Sequence, residues 1–522
     1  MYVGYKLPLK VEVAPAGVST QVIWKLHSSS TDYASISEDG ILTGIAAGTV
    51  RVQAISAVDE SVKSKWVNIK VENVPELPPI PDMKGYKIII MNADSALKDI
   101  DPFLDAYIQS DKSYKQKAWN EIEAEYKCDI SVEKYPDVAP WGPQRINWII
   151  DNATAGTTQC DFGVVSGAWI NKFGAANAAV DTSEYFRKYG MNQIEPALKE
   201  ITSYGDKYFG VSQGLNPSRT YVISGMYYNY GLIEKLGLES PAKLFNEGRW
   251  TYSGFKQWCI DAQKILSDGQ YVIAGSPAHY WHGMVNAAGI KLADKTTMEL
   301  NISHSVAFTA LEVLRDLVEE GCYAHELEGG LSVEDKVTPF RDGNALFQPG
   351  EFWFLKSDNR LPADLFGENS TKYGYVPFPY PDTMKKEESR VNFSGESVIM
   401  MLAGRQYPAG ITSEEVYRAV QDMYLRTVNY MNDDPRFNAE DQKKAIVGTK
   451  VDDDASLDAV IFYTGEKTLF DPMFDESFAT YYSGDLYTAI VNTVTKGNDA
   501  AQEISSVYDS VLSAFLKAYS TN

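Results

Sequence analysis

The segment Gly210-Val-Ser212-Gln-Gly214 has the G-x-S-x-G spacing of a hydrolase nucleophile elbow. In that motif a strained turn between a strand and a helix presents the serine, and a histidine takes its proton. Pro217 follows here and argues against a helix at that point, and the 38 glycines of the chain make a chance match easy. His279 or His282 would have to act as the base, and nothing in the sequence places either beside Ser212. The motif by itself therefore does not predict an esterase.

Metal and cofactor motifs are missing from the sequence. His279 and His282 would need further ligands to bind a metal, and we interpret their segment as a polar loop. The run Asp452 to Asp454 lacks the glycine and terminal glutamate of a calcium loop, so it predicts the exposed start of a helix. No phosphate-binding or dinucleotide-binding glycine motif occurs. We predict neither a metal nor a cofactor, whereas a glycosidase pair among 70 acidic residues can be neither recognised nor excluded.

The composition narrows the class of ligand. The chain has 522 residues, which predicts at least two domains, and its 48 basic against 70 acidic residues give a net charge of -22. Such a charge argues against nucleic acid as a partner, because phosphate binding requires a basic surface. The 33 tyrosines and 10 tryptophans suit a protein that stacks rings on sugars. We interpret the scattered cysteines as buried free thiols, although a disulfide remains open: Cys128, Cys160, Cys259 and Cys322.

The elements that would position a site fall into two regions. Residues 1–73 alternate apolar and polar side chains between turns, as half-buried strands do. Residues 74–84 are rich in proline and predict a semi-rigid linker. From residue 85 onward, short apolar strands alternate with amphipathic helices, which predicts an α/β fold. Thr412 and Glu415 form a capping-box pattern at the start of a long helix. No apolar run is long enough to span a membrane.

The first region resembles the bacterial immunoglobulin-like domains of group 2. Ile23-Trp24 is followed by the run from Tyr33 to Val50, which contains the family's "asp-gly, apolar, thr-gly, ala-gly-thr" pattern. Asp39-Gly40 is a favoured hairpin turn within this run. The resemblance implies a small all-β immunoglobulin-like sandwich that acts as a spacer or adhesion module without chemistry.

The larger region resembles the extracellular solute-binding proteins of family 1, which include maltose-binding protein. Met226-Tyr-Tyr-Asn229, Leu232 and Gly237-Leu238 are similar to the family's pattern of apolar-Tyr-Tyr-Asn, then Leu, then Gly-Leu, and Trp250-Thr251 opens the next helix. Further matches begin at Trp281, at Gly343 with Gly350 and Trp353, and at Tyr373 with its Pro-x-Pro end. These segments occur in the family's order between Gly225 and Pro379.

This resemblance implies a two-lobed periplasmic-binding-protein fold with a ligand cleft that closes by a hinge motion. The first lobe would comprise residues 85–221 and a segment from about 393. The second would comprise residues 222–392 and a C-terminal segment. Two crossings between the lobes are expected near 220–224 and 391–394, and a third cannot be placed.

The family's cleft positions, carried over to this sequence, give a set of candidate ligand-binding residues. The first lobe would contribute Asp94 after its first strand, Trp141 and Arg145 in a loop, and Ser166 with Trp169 after a later strand. For Trp169 a packing role at a helix start is equally compatible with the sequence. The second lobe would contribute Trp281, Glu351 and one ring of the Phe352-Trp353 pair. By contrast, we expect Tyr228, Trp250 and Trp258 to be packing residues.

These observations lead to one preferred function and three alternatives. The first is the substrate-binding component of an ABC importer, a monomer that captures an oligosaccharide without catalysis and delivers it to a membrane permease. The resemblance implies an extracytoplasmic, cell-surface lipoprotein of a Gram-positive bacterium, with a lipid anchor outside this sequence as its sole membrane attachment. The alternatives are a receptor for a different ligand such as an acidic sugar or a peptide, a cell-surface glycoside hydrolase or esterase, and an adhesive wall protein. The acidic chain makes a polyanionic ligand less attractive, although a local arginine or lysine could override the net charge.

Overall fold

The computed structural model describes residues 1–9, 11, 22–37, 40–74, 76–191, 193–220, 223–324, 339–357, 360–366, 372–393, 395–463, 467–474 and 479–520. Contacts divide the chain into two units, Met1–Pro81 with Phe186–Asn192, and Asp82–Tyr185 with Gln193–Asn522. Asp39 of the expected hairpin turn and residues 221, 222 and 394 of the expected crossings lie outside the described residues. The division of the larger unit into lobes at those residue numbers stays a prediction.

The N-terminal unit contains two three-stranded antiparallel sheets, ordered β1-β4-β3 and β2-β5-β6. Their strands are β1 Lys6–Pro8, β2 Val22–Leu26, β3 Ala34–Ile36, β4 Ile41–Gly44, β5 Gly48–Ser56 and β6 Val67–Val71. Val50 and Val52 of β5 are buried together with Leu42 and Val71, whereas Thr49 is exposed. The alternation in the sequence therefore places one face of β5 in a small shared core.

The larger unit alternates strands and helices. Its strands are β7 Tyr86–Asn92, β8 Cys128–Lys134, β9 Phe162–Ser166, β10 Ser203–Tyr204, β11 Lys207–Tyr208, β12 Ser224–Asn229, β13 Tyr271–Ile273, β14 Ala293–Asp294, β15 Glu299–Leu300, β16 Ala345–Glu351, β17 Tyr373–Val376, β18 Val391–Asn392, β19 Ser397–Met401 and β20 Thr468–Leu469. Its helices are α1 Lys112–Tyr126, α2 Pro143–Ala155, α3 Ile170–Ala175, α4 Ser183–Tyr185, α5 Pro196–Ile201, α6 Tyr230–Leu236, α7 Pro241–Asn246, α8 Tyr252–Gln263, α9 Pro277–Ala287, α10 Ser305–Glu319, α11 Ser413–Asp433, α12 Ala439–Gly448, α13 Asp454–Phe462, α14 Asp485–Lys496 and α15 Ala500–Tyr519.

Two four-stranded sheets form the frame of this unit, and we call the part around each sheet a lobe. The first lobe contains the sheet β19-β9-β7-β8, in which β7 is parallel to β8 and β9 while β19 is antiparallel to β9. The second lobe contains the sheet β13-β16-β12-β17, in which β12 is antiparallel to both neighbours. Helices α1 and α11 pack together beside the first sheet, and α9, α10 and α14 pack together in the second lobe.

Local signals in the sequence account for several helix starts. The hydroxyl of Thr412 accepts from the amide of Glu415 at 3.2 Å, and the Glu415 carboxylate accepts from the Thr412 amide at 2.9 Å, which confirms the capping box of α11. Asp453 accepts from the Ser456 amide and caps α13, which confirms that the aspartate run starts a helix. The four cysteines are free and buried, as expected. None of the described helices is both long enough and apolar enough to cross a membrane.

The histidine segment does not have the structure that the sequence suggested. His279 and His282 lie on α9, and all eleven residues of that helix are buried. The prediction of a polar loop is therefore wrong. The polar appearance of the segment comes from side chains that form hydrogen bonds inside the second lobe, among them His282 Nε2 at 3.0 Å from a buried carboxylate oxygen of Asp471.

Candidate ligand-binding site

The carboxyl ends of β7, β8 and β9 lie at one edge of the first sheet, because these three strands are parallel. Asp94 follows β7, Trp141 follows β8, and Ser166 with Trp169 ends and follows β9. Loops at such an edge are the usual ligand-binding part of an open α/β sheet. The structure thus brings the first-lobe candidates together at one sheet edge.

Trp141 is the exposed ring at this edge. Its side chain is 50% exposed, and its ring centre lies 4.5 Å from that of Trp169, which is buried. The guanidinium carbon of Arg145 lies 5.2 Å from the Trp141 ring centre and 4.1 Å from that of Tyr135. The buried Trp169 ring therefore packs against the Trp141 ring, and the exposed part of Trp141 is available for a ligand to stack on.

Arg145 is not in a loop, as the sequence suggested, but in the first turn of α2. It is 3% exposed, and its Nε donates to the carbonyl of Ala139 at 3.1 Å, whereas its buried Nη1 has no hydrogen-bond partner. Burial lowers the pKa of the Arg145 guanidinium because the charged form is poorly solvated there. A buried cation with an unpaired hydrogen-bond donor lowers the stability of the protein unless a ligand supplies the missing acceptor.

The two remaining first-lobe candidates differ in what they can offer a ligand. The hydroxyl of Ser166 accepts from the Ala168 amide at 3.3 Å and caps the short turn 167–169, so it has a structural partner. Asp94 begins the turn 94–99, and its side chain is exposed. Of the two, Asp94 has the freer acceptor oxygens.

The second sheet also has an exposed tryptophan just beyond the end of one of its strands. Strand β16 ends at Glu351 and leads into a turn at Phe352–Phe354. Trp353 is 38% exposed, whereas Phe352 is 7% exposed and packs against Tyr375 with ring centres 5.1 Å apart. Phe352 is therefore a packing residue, and Trp353 is the ring of this pair that a ligand can reach.

Glu351 lies where the two lobes meet. Its carboxylate accepts from the Trp353 indole at 2.6 Å, and its pKa is raised by burial and by the neighbouring charge of Glu396. A side-chain carbon at Gly395, just before β19, would lie 2.0 Å from Oε1 of Glu351. Gly395 therefore lies directly against the Glu351 carboxylate. This contact places the end of β16 next to the start of β19, which pairs with Ser166 at the carboxyl end of β9.

Trp281 does not belong to the site. Its ring is completely buried, and its indole donates to the carbonyl of Ala307 on α10 at 2.9 Å. The proposal that this ring stacks on a ligand is corrected by its position between α9 and α10. Trp250 and Tyr228 are also completely buried, as packing residues should be.

An aromatic stack of His279, Tyr481 and Phe474 lies in the second lobe, and the sequence did not reveal it. The Tyr481 ring lies 4.3 Å from each of the other two rings, with interplanar angles of 17° and 20°. His279 Nε2 lies 3.1 Å from the hydroxyl of Ser224, which pairs with Glu351 in the sheet. The stack is therefore next to Glu351. Tyr481 is about 200 positions from His279, so no local pattern in the sequence indicates that their rings stack. The only related signal is the spacing of His279 and His282, which places both on one side of a helix.

The G-x-S-x-G motif does not form a nucleophile elbow. Ser212 is completely buried, its hydroxyl donates to the carbonyl of Gln193, and its amide donates to the side chain of Gln421 at 3.0 Å. The observed hydrogen bonds to Ser212 involve neither His279 nor His282. Within the described ranges, no group of three or more His, Cys, Asp and Glu side chains is arranged to hold a metal ion.

Comparison with known proteins agrees with this architecture. Residues 1–67 match the family model of the bacterial Ig-like domain (group 2). No match was found among curated proteins.

Solved structures of sugar-binding proteins are similar to most of the chain. The sugar-binding protein MalE from the phytopathogen Xanthomonas citri is 12% identical, covers 83% of this chain and 98% of its own, and has a TM-score of 0.54. The cyclic alpha-maltosyl-1,6-maltose binding protein from Arthrobacter globiformis is also 12% identical, covers 83% and 100%, and has a TM-score of 0.53. A cyclo/maltodextrin-binding protein complexed with maltotetraose is 12% identical, covers 85% and 100%, and has a TM-score of 0.51.

At such identities the likeness concerns the fold. The chain thus combines an N-terminal region similar to bacterial immunoglobulin-like domains of group 2 with a body that has the two-lobed fold of periplasmic solute-binding proteins.

Proposed function

We propose that residues 82–522 are the substrate-binding component of an ABC importer and capture an oligosaccharide between the two lobes without catalysis. The observation that carries this proposal is an exposed tryptophan at the ligand edge of each sheet, Trp141 in the first lobe and Trp353 in the second. Sugars present C–H faces that stack on aromatic rings, while their hydroxyls form hydrogen bonds at the ring edge.

The groups around these rings suit sugar hydroxyls. Glu351 lies beside Trp353 and retains acceptor capacity after its bond to the indole, since a carboxylate can accept several hydrogen bonds. Asp94 offers exposed carboxylate oxygens near Trp141's sheet edge. A ligand between the lobes would contact both sets, and hinge closure would exclude water from it.

The remaining parts of the proposal concern the setting of the protein. The receptor would act outside the cytoplasm as a monomer, held at the cell surface of a Gram-positive bacterium by a lipid anchor, and would deliver its ligand to a membrane permease. The immunoglobulin-like region would act as a spacer. These statements are supported by the fold that the body shares with solute-binding proteins.

A screen of short oligosaccharides tests the central statement. We expect one class of sugar to raise the melting temperature of the full chain saturably and to be recovered uncleaved. Trp141→Ala and Trp353→Ala should each weaken the response, whereas Trp66→Ala, in the N-terminal unit, should not. Small-angle scattering should show a smaller radius of gyration with the bound sugar. If no sugar binds, or if the sugar is recovered as shorter products, the proposal is wrong.

A glycoside hydrolase is the second candidate, and one observation favours it. The pKa of Glu351 is raised by burial and by Glu396, which suits a general acid. Glu396, however, forms an ion pair with Arg219 at 2.8 Å, so that its oxygen is engaged. Release of reducing ends that is lost in Glu351→Gln would establish this candidate in place of the receptor. An esterase through Ser212 lacks such support, and a peptide receptor would appear as peptide binding in the same screen.

A further inference from the structure

Arg145 is a buried cation whose charge is not balanced by the protein. Among the described residues it forms no ion pair with a carboxylate, and its side chain is stacked against Tyr135 and Trp141. By contrast, Arg219, Arg405 and Arg426 each have a carboxylate oxygen within 4 Å. Ring contacts offset part of the cost of burying a guanidinium, but they leave the Nη1 donor of Arg145 unused.

The second lobe repeats this arrangement. The guanidinium carbon of Arg360 lies 5.9 Å from the ring centre of Trp353 and 5.2 Å from that of Phe354. Its Nε is buried without a hydrogen-bond partner, and no ion pair to it occurs in the described part of the chain. The charge of Arg360 acts to lower the pKa of Glu351, but the two side chains form no hydrogen bond.

Lysines add positive charge next to Trp353. Lys450 donates to the carbonyl of Leu355 at 2.8 Å, and its pKa is lowered by burial and by the like charges of Lys98 and Lys356. Two carboxylates oppose this effect in part, because Asp99 lies near Lys450 and Asp452 pairs with Lys356 at 2.7 Å. A chain with a net charge of -22 therefore carries cations at its candidate site that its own carboxylates leave partly uncompensated.

We propose that the ligand is an acidic oligosaccharide whose uronic acid carboxylates bind Arg145 in the first lobe and Arg360 in the second. This inference rests on the proposed receptor function and specifies its ligand class. A guanidinium matches a carboxylate through two parallel hydrogen bonds, which neutral hydroxyls do not reproduce. Each arginine adjoins an exposed tryptophan, so a sugar ring stacked on Trp141 or Trp353 would bring its carboxylate next to the guanidinium. Trp141 is half exposed and its ring centre lies 5.2 Å from the guanidinium carbon of Arg145, so a ligand stacked on that ring lies close to the arginine.

Titration calorimetry with matched sugars tests this inference on the full chain. The probes are tri- and tetrasaccharides of galacturonate, of mannuronate and guluronate, and unsaturated glucuronate-hexosamine disaccharides. Each is compared with its carboxyl-reduced form, and neutral and sulfated oligosaccharides without carboxylates complete the set. We expect one uronate series to bind at least tenfold more tightly than its reduced form, with an affinity that falls as salt rises.

Variants assign the preference to the two arginines. Arg145→Gln and Arg360→Gln should each reduce the preference for the carboxylate form at least tenfold, whereas Arg436→Gln, an exposed arginine paired with Asp434, should retain it. If Arg145→Gln fails to fold, Arg360→Gln and the comparison of sugars still decide the matter. Equal binding of reduced and unreduced sugars, or binding of sulfated or neutral sugars alone, overturns the inference and leaves the receptor function intact. Absence of binding to every sugar overturns both.

Discussion

Replacement of Trp353 by alanine should weaken sugar binding, and the loss of binding free energy can be calculated from the exposed area of the ring. The ring is 38% exposed, and a tryptophan side chain can bury up to about 250 Å², so about 95 Å² is available to a ligand. At ~25 cal/mol per Å², complete cover of that area would contribute roughly 2 kcal/mol. A sugar that covers half of it would contribute about 1 kcal/mol. Since 1.4 kcal/mol is a factor of ten, the expected rise in Kd is about five- to thirtyfold.

The indole of Trp353 also donates to Glu351, and a second variant separates this bond from the stacking surface. Trp353→Phe keeps a ring and loses the donor, so it should retain most of the affinity if stacking dominates. Trp66→Ala, in the N-terminal unit, serves as the control for a lost tryptophan. Calorimetric titration measures Kd, and circular dichroism checks that each variant is folded. A Kd for Trp353→Ala within twofold of the wild-type value would refute the assignment of this ring to the site.

Three further predictions concern the interior of the larger unit. Trp281→Phe should lower the free energy of unfolding by about 2 kcal/mol, because it removes the indole's hydrogen bond to Ala307 and part of a completely buried ring, and calorimetry should show an unchanged Kd. Asp471→Asn should lower stability in denaturant unfolding by about 3 kcal/mol, because it replaces a fully buried carboxylate that lies 3.0 Å from His282 and accepts hydrogen bonds from the Asn286 side chain and the Leu292 amide. Burial raises the pKa of Asp471, but His282 and several hydrogen bonds have the larger combined effect, so the pKa is lowered. The stability of the wild-type protein should therefore decrease as the pH falls below about 4, where the carboxylate becomes protonated. This decrease should be smaller in Asp471→Asn. Ser212→Ala should lose about 1 kcal/mol of stability and leave sugar binding unchanged; a hydrolytic activity abolished by this change would contradict the buried position of Ser212.

Local signals in the sequence predicted the frame of the fold well. The capping box at Thr412 and the alternation in β5 depend on neighbours along the chain, and the structure reproduces both. The two-lobed architecture was implied by the resemblance of the motifs from Gly225 to Tyr373 to a known family, and the structure has two four-stranded sheets in the larger unit. The parallel strands β7, β8 and β9 then brought Trp141 and Trp169 to one edge, as the sequence reasoning expected.

The placement of individual side chains could not be predicted in the same way. Trp281 and Trp353 both lie at positions where the resembling family often offers an aromatic ring, yet one is completely buried and the other 38% exposed. The difference comes from α9, which is enclosed on every side, although its histidines and asparagine give it a polar appearance. Such a helix depends on partners far along the chain, among them Tyr481 and Asp471. No periodicity in the sequence reports those contacts.

The net charge of the whole chain does not by itself determine the charge of the ligand, for a physical reason. At physiological ionic strength, exposed charges more than about 8 Å apart are largely screened from each other, so the -22 of the whole chain has little influence on a partly buried site. What matters there is which charges lack a close partner. Arg145 and Arg360 form no ion pair among the described residues, although the charge of Arg360 still acts on the Glu351 carboxylate, and each arginine lies beside the tryptophan that a sugar would contact first. An acidic protein can therefore present a cationic site, provided that its own carboxylates pair elsewhere.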